Sequence, residues 1–346
     1  MFRKSKTLAV MLTVAGLGLS TMATAQTQTL RVAHFMPTTA PLHSRFIQPW
    51  CDRIQEESQG RLQCEIYPAM QLGGTPPQLI NQARDGVADI IFTLPGYTPG
   101  RFPLTEMFEL PFFTAEQKNS SMALWDFIQE NSLQEFRGVK PLITVVNGSN
   151  YLHFRNRQVQ TLEDLRGVSI RGPSRLGNRL IEALGATPVG MPVTQMGESL
   201  SRGIIDGTVL PWEAVPAFRL HELTRYHALT EGDYTMLTST MVFVMNERRY
   251  NNLPDDLKKV IDNNSGQQAS GWGAEVLMSG HETGMRMARD AGNTIYAIEP
   301  AEMQRWRQAG QTVIDRWIQE NTSNDVNARA LYERGQELIR QHSDRL

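Results

Sequence analysis

Residues 161–215 constrain this chain more than any other stretch. An apolar run around Val168 and Ile170 reads as a short strand, ends on the charged Arg171 and breaks at Gly172-Pro173 before a helix begins near Ser174. A second helix is expected over residues 194–203, and a second strand over 208–210 stops at Pro211. Two strand-helix units in succession call for an open α/β sheet, and such sheets place ligand sites where connections leave the strand ends. Arg171 stands at such a point. Its guanidinium is permanently charged and offers a planar fork of donors that matches a carboxylate. From spacing alone two readings stay open: a carboxylate-binding arginine, or a surface arginine paired with a nearby acid.

The N-terminal part repeats the theme. Strands are expected over 30–35, 62–67 and 89–94, separated by a helix over 42–58 and another over 75–85. The first helix carries Phe46, Ile47, Trp50 and Ile54 at helical spacing and ends at Gly60; the second opens on Thr75-Pro76, an N-cap and first-turn pair. The β-α-β-α-β order predicts a parallel sheet. A helix follows within 114–136, then a strand over 140–147, the turn Asn147-Gly148-Ser149-Asn150 and a strand from Tyr151, where the chain is expected to cross into a second domain. Residues 216–237 read as a helix-like connection and a lead-in to an apolar strand over 238–246. From Leu253 to Gly284 a long helical pattern runs, interrupted by glycines that each lower helix preference by about 1 kcal/mol. A last strand over 293–298 precedes helices from 301 and 328, with Met303, Trp306, Val313 and Trp317 as a packing stripe. The 346 residues suffice for two domains, expected as 26–149 with about 239–279, and 150–238 with about 280–346.

Residues 1–25 read as a secretory signal peptide: Arg3, Lys4 and Lys6, an apolar stretch over 8–19, and Ala23-Thr24-Ala25 as a small-x-small cleavage site. The apolar stretch is short of the roughly 20 residues a spanning helix needs, and no later run is longer, so no stable membrane insertion is expected. Removing the three basic residues takes the formal net charge from −2 to −5, which argues against a nucleic-acid binder and makes any anion site a local matter. Cys51 and Cys64 fall on a helix and the following strand; a disulfide and two buried thiols both remain open. Signs of catalysis are sparse. Residues 172–177 miss a nucleophile elbow by their spacing, there is no phosphate loop or H-E-x-x-H, and His221-Glu222 alone makes no metal site, so neither enzyme, cofactor nor metal is expected.

The segment Ile170-Arg171-Gly172-Pro173, Leu184-Gly185-Ala186-Thr187-Pro188 and Asp206-Gly207 resembles the signature of the substrate-binding proteins of TRAP (tripartite ATP-independent periplasmic) transporters, the DctP-like family. Gln71-Leu72-Gly73-Gly74, Gly86-Val87-Ala88-Asp89-Ile90 and Leu253-Pro254 resemble it as well. The resemblance implies two α/β domains with a hinge of cross-domain strands, a long helix spanning both over 253–284, and a small organic acid held in the interdomain cleft. It implies a periplasmic receptor, expected as a monomer, that delivers its ligand to TRAP permease membrane subunits; a receptor serving a sensor stays open. Arg171 matches the family's carboxylate-binding arginine.

The chain departs from the better-known pattern at two places. Where a second arginine often stands it has Tyr151, flanked by Asn150, and where a polar amide often precedes the proline it has Leu210, followed by Pro211-Trp212-Glu213. A second ligand carboxylate would lack its partner. The expected ligand is therefore an apolar or aromatic monocarboxylate, keto or hydroxy acid, with dicarboxylates and sugar acids as the alternative. Trp212 is expected to stack on its tail, Tyr151 to donate a hydrogen bond, and Glu213 to bind a hydroxyl or cap a helix. His34 at the first strand end and Tyr97 near a cleft mouth complete the candidates; each also has a plain reading, His34 as a hydrogen-bonded loop residue and Tyr97 and Trp212 as packing.

Overall fold

The structure is a computed structural model describing residues 27–230 and 232–343; the expected leader at 1–25 lies outside the described residues. Two sheets organise it. The first is ordered β2-β1-β3-β10-β4, with β1 Gln28–His34, β2 Leu62–Tyr67, β3 Ile90–Thr93, β4 Val139–Val146 and β10 Thr240–Asn246. The second is ordered β11-β9-β5-β8-β6-β7, with β5 Tyr151–Phe154, β6 Ser169–Gly172, β7 Thr187–Gly190, β8 Gly207–Leu210, β9 Tyr226–Leu229 and β11 Thr294–Ala297. Each sheet is parallel apart from one strand. In the first it is β10, antiparallel to β3 and β4; in the second it is β5, antiparallel to β8 and β9. Each of these two strands is entered directly from the facing sheet, at 147–150 and at 232–239, whereas the later passage to β11 runs through the helices that follow β10. A strand that enters from the facing sheet starts where its neighbours end, so both crossings, and the carboxyl ends of the parallel strands, meet in one gap.

Helices cover the outer faces. A π-helical turn Leu42–Ile47 runs into α1 Gln48–Glu57, and α2 Leu79–Asp85 and α3 Gln117–Phe127 follow. In the second half come α4 Arg175–Ala183, which starts on Ser174 as a side-chain N-cap, α5 Met196–Ser201 and the short α6 Leu220–Leu223. After α7 Glu247–Asn251, the stretch expected as one long helix is three: α8 Asp255–Asn263, α9 Gln267–Met278 and α10 His281–Asp290. The first break is at Gly266, whose φ of +92° suits only glycine; the second is at Ser279-Gly280. The glycines inside the helices serve close packing. Gly273 fits against Phe46 and Val145, and Gly284 lies against the backbone of Trp212, where a Cβ would collide with a carbonyl.

The helix that links the two halves is α11 Pro300–Asn321: Met303 and Trp306 belong to the core under the second sheet, while Val313, Ile314 and Trp317 belong to that of the first. The chain closes with α12 Ala328–Ser343, which packs on α3 and so covers the first sheet, not the second domain to which sequence assigned 280–346. Two strands escaped the sequence reading. Pro188 and Gly190 disguise β7, but an edge strand tolerates a proline because one side needs no donor. The other, β9, is four residues long and was read as connection.

Cys51 on α1 and Cys64 on β2 form a disulfide, 13 residues apart in sequence. Closing a loop of that length removes unfolded-state freedom amounting to about 3 kcal/mol in the chain-entropy picture. The double variant Cys51→Ser/Cys64→Ser is expected to lose about 2–4 kcal/mol of unfolding free energy in urea titrations, and reductant should produce a comparable loss in the wild type.

Candidate functional site

Two adjoining chambers lie in the gap between the sheets. Strand ends supply the walls of the first. Phe35 and Met36 follow β1, Leu94 and Tyr97 follow β3, Asn147 and Asn150 bracket the first crossing, and Ser239 ends the second. From the second sheet come Arg171 on β6, Leu210 and Pro211 at the end of β8, and Phe218 beyond them. Apart from Arg171 the walls carry no charge.

Arg171 is 1% exposed. Its Nε donates to the Met191 carbonyl at 2.9 Å and Nη1 to the Val209 carbonyl at 3.3 Å, while Nη2 is buried without a partner. Burial pushes its pKa below the ordinary value, and the one neighbour that counteracts this is the Tyr97 hydroxyl. An arginine starts high enough to keep its charge regardless. The protein thus buries a cation, orients it through two backbone carbonyls, and leaves one donor nitrogen for something else. Tyr97 spans the gap: its hydroxyl accepts from the Val193 N–H at 3.2 Å, its ring meets Phe35 edge-on at 5.6 Å, and burial raises its pKa.

The crossings are tied to each other. The Asn147 N–H donates to the Ser239 carbonyl at 3.1 Å, the Ser239 N–H to Asn147 Oδ1 at 2.7 Å, and the Asn150 N–H to the Leu237 carbonyl at 2.8 Å; Asn150 Nδ2 adds a bond to Ser239 Oγ at 3.2 Å. Elsewhere across the gap, Arg175 on α4 pairs with the buried Glu106 and with Glu320 on α11.

Of the residues singled out by sequence, Arg171, Tyr97, Asn150, Leu210 and Pro211 line the first chamber. Glu213 lines the second, together with Pro211. Trp212, His34 and Tyr151 line neither. Trp212 is fully buried behind the site against the rings of His153 and His227, at 5.1 and 5.0 Å. His34 ends β1 with its side chain turned to His43, Nε2 to Nδ1 3.0 Å, and burial lowers its pKa to about 3. The residue after it, Phe35, faces the chamber: one step along a strand reverses the face. Tyr151 directs its ring toward Trp212 and His281. Phe35, Met36 and Met241 look like core in the sequence because they are apolar residues at strand ends, and their position just past or at the start of a strand is the available signal; Phe218, in the connection before α6, carries no such signal. Among the described residues no group of three or more His, Cys, Asp or Glu is placed to hold a metal ion.

Comparison with known proteins adds the relatives. The family described as bacterial extracellular solute-binding protein, family 7 (DctP) matches residues 32–321. A TRAP solute-binding protein from Rhodoferax ferrireducens T118, solved with copurified benzoate, is 42% identical with a TM-score of 0.90, covering 92% of this chain and 99% of its own. A marine metagenome TRAP solute-binding protein specific for aromatic acid ligands, solved with 3-hydroxybenzoate, is 37% identical with a TM-score of 0.89 over 92% and 99%. The sialic acid-binding periplasmic protein SiaP of Vibrio cholerae is similar at 24% identity over 72% of this chain and 77% of its own.

A second buried acid bears on stability. Glu109 is fully buried, accepts from the Thr240 N–H and Oγ1 at 2.9 and 2.7 Å, and burial pushes its pKa up to about 7. The unfolded carboxyl titrates near 4.5. Between those values the folded chain keeps a proton that the unfolded chain has released, so this group's contribution to stability falls as pH rises through that window and levels off above it. His34, His153 and His227, held neutral with pKa values of about 3, 4 and 2, act in the opposite sense. A difference measurement removes them. Relative to wild type, Glu109→Gln is expected to gain on the order of 1–3 kcal/mol in unfolding free energy between pH 5 and pH 8, checked by urea denaturation of both proteins.

Proposed function

The chain belongs to the bacterial extracellular solute-binding protein family 7, and on that footing we propose that it is the solute receptor of a TRAP transporter, taking an aromatic or apolar monocarboxylate into the gap between its sheets and presenting it to the membrane permease subunits. The observation that carries the ligand class is the buried Arg171, with Nη2 unpartnered in a chamber of otherwise uncharged walls. One carboxylate supplies the acceptor that this nitrogen lacks. A second carboxylate would meet no further cation on the walls, and Glu213 in the adjoining chamber would repel it. The remainder of the ligand meets Phe35, Leu94, Leu210, Phe218 and Met241, surfaces suited to a ring or an alkyl tail. Asn150 and Tyr97, in place of Tyr151, are the groups available to a keto or hydroxy oxygen.

Such a ligand touches Phe35 and Tyr97 from one sheet and Arg171 and Leu210 from the other. Only the closed arrangement offers both sets, so binding favours closure, and the closed form is what the permease would read. The receptor works as a monomer in the periplasm, reached through the leader at 1–25, and performs no chemistry on its ligand.

Differential scanning fluorimetry against a panel of acids tests the reading. Aromatic and aliphatic monocarboxylates are expected to raise the melting temperature; a ligand at 100 times its dissociation constant adds about 2.7 kcal/mol of stability. A response confined to dicarboxylates or sugar acids would overturn the ligand class while leaving the receptor role. Replacing Arg171 by Ala or Lys is expected to weaken binding of the best acid by about 2–5 kcal/mol in calorimetry, since a desolvated carboxylate then loses its positioned guanidinium partner. Near-wild-type affinity would remove Arg171 from the site.

A further inference from the structure

The second chamber is the part of the gap that a simple aryl carboxylate does not explain. It shares Phe35, Met36, Pro211, Ala214 and Met241 with the first, so the two meet along a common wall. Its other walls are apolar, with one exception, Glu213. That side chain is 6% exposed. Its Oε1 accepts the Gly148 N–H at 2.9 Å, while Oε2 is buried with no partner. A buried carboxyl oxygen without a hydrogen-bond partner is costly, and native structures rarely leave such atoms unused.

Resting on the receptor reading above, we propose that Glu213 is a specificity-determining residue for a hydroxyl group at the far end of the ligand, so that the preferred solutes are hydroxylated aryl carboxylates, with the carboxylate on Arg171 and the hydroxyl on Glu213 Oε2. A hydroxyl suits this position better than other small polar groups. Burial raises the Glu213 pKa to about 7, so near neutrality both protonation states are populated. A hydroxyl donates to the carboxylate and accepts from the acid; an ammonium satisfies only the former and a carbonyl only the latter. A second carboxylate would face Glu213 directly. A methyl group of nearly the same size fills the space but leaves Oε2 bare, and a site built around a hydrogen bond discriminates against the analogue that lacks it.

The test is calorimetric titration of the mature chain with benzoate and with two matched pairs, 3-hydroxy- against 3-methylbenzoate and 4-hydroxy- against 4-methylbenzoate. In the wild type the hydroxyl member of at least one pair is expected to bind about tenfold tighter or more than its methyl partner. In Glu213→Leu that preference is expected to vanish while benzoate itself still binds. Smaller differences in both wild-type pairs overturn the proposal and leave the receptor reading intact. A preference that persists in Glu213→Leu overturns the assignment to Glu213. Failure of every one of these acids to bind overturns the aryl-carboxylate ligand class, and this proposal with it, while the receptor role stands. Should the leucine variant not fold, Glu213→Ala takes its place, and the wild-type pairs still decide whether a hydroxyl is recognised.

Discussion

Everything at the interface of the two sheets turns on a cation that the protein buries and does not neutralise. Removing a charge from water costs several kcal/mol even after relaxation, and the usual remedy is an ion pair supplied by the fold. Around Arg171 the fold supplies two carbonyl acceptors, a tyrosine hydroxyl and apolar walls. The closed arrangement is therefore electrostatically incomplete on its own account. On the proposed reading an anion in the chamber would complete it, and the residue that selects the ligand would also set how much closure gains from having one.

The neighbouring contacts share out the rest of the closure energy. Tyr97 reaches from the first sheet to the Val193 amide of the second, and Arg175 reaches back to Glu106. These bonds join the halves whether or not a solute is present, and they act against the cost of the buried arginine. Balance between the two sets, more than the strength of either, would decide how readily the empty protein opens. The two crossings are bonded to one another through Asn147, Asn150, Leu237 and Ser239 and so form one hydrogen-bonded ribbon.

Much of this was legible before any coordinates. The alternation of strand and helix, the strand that stops at Arg171, the crossing at Asn147 to Asn150 and the return strand into Asn246 all follow from local patterns, because each depends on neighbours within a few residues. What failed depended on tertiary context. A proline-bearing edge strand such as β7 is permitted only by its position in the sheet. The glycines after Leu253 read as interruptions of one helix, yet only Gly266 and Gly280 stand at breaks, and others, Gly273 and Gly284, remain helical with another segment pressed against them. Trp212 and His34 were chosen as candidates for their chemistry, and each faces away from the chamber by a single step along the chain. The aromatic and thioether walls of the site were indistinguishable from core until strand ends from both sheets were brought together.

The placement of β10 has a consequence for how the molecule is made. It lies between β3 and β4, inside the first sheet, yet it is formed from residues 240–246, after the whole of β5 to β9. As synthesis proceeds, the first half of the chain can assemble β1, β2 and β3, but β4 has no strand to pair with until the second half has been made and the chain has returned. The first sheet to begin thus waits until most of the second, β5 to β9, has been made, and only the edge strand β11 of the second sheet is formed later. An exposed β3 edge, Ile90, Ile91 and Phe92 followed by Thr93, is what waits in the meantime, and it is the segment on which a nascent chain of this topology would most need protection from pairing with another copy.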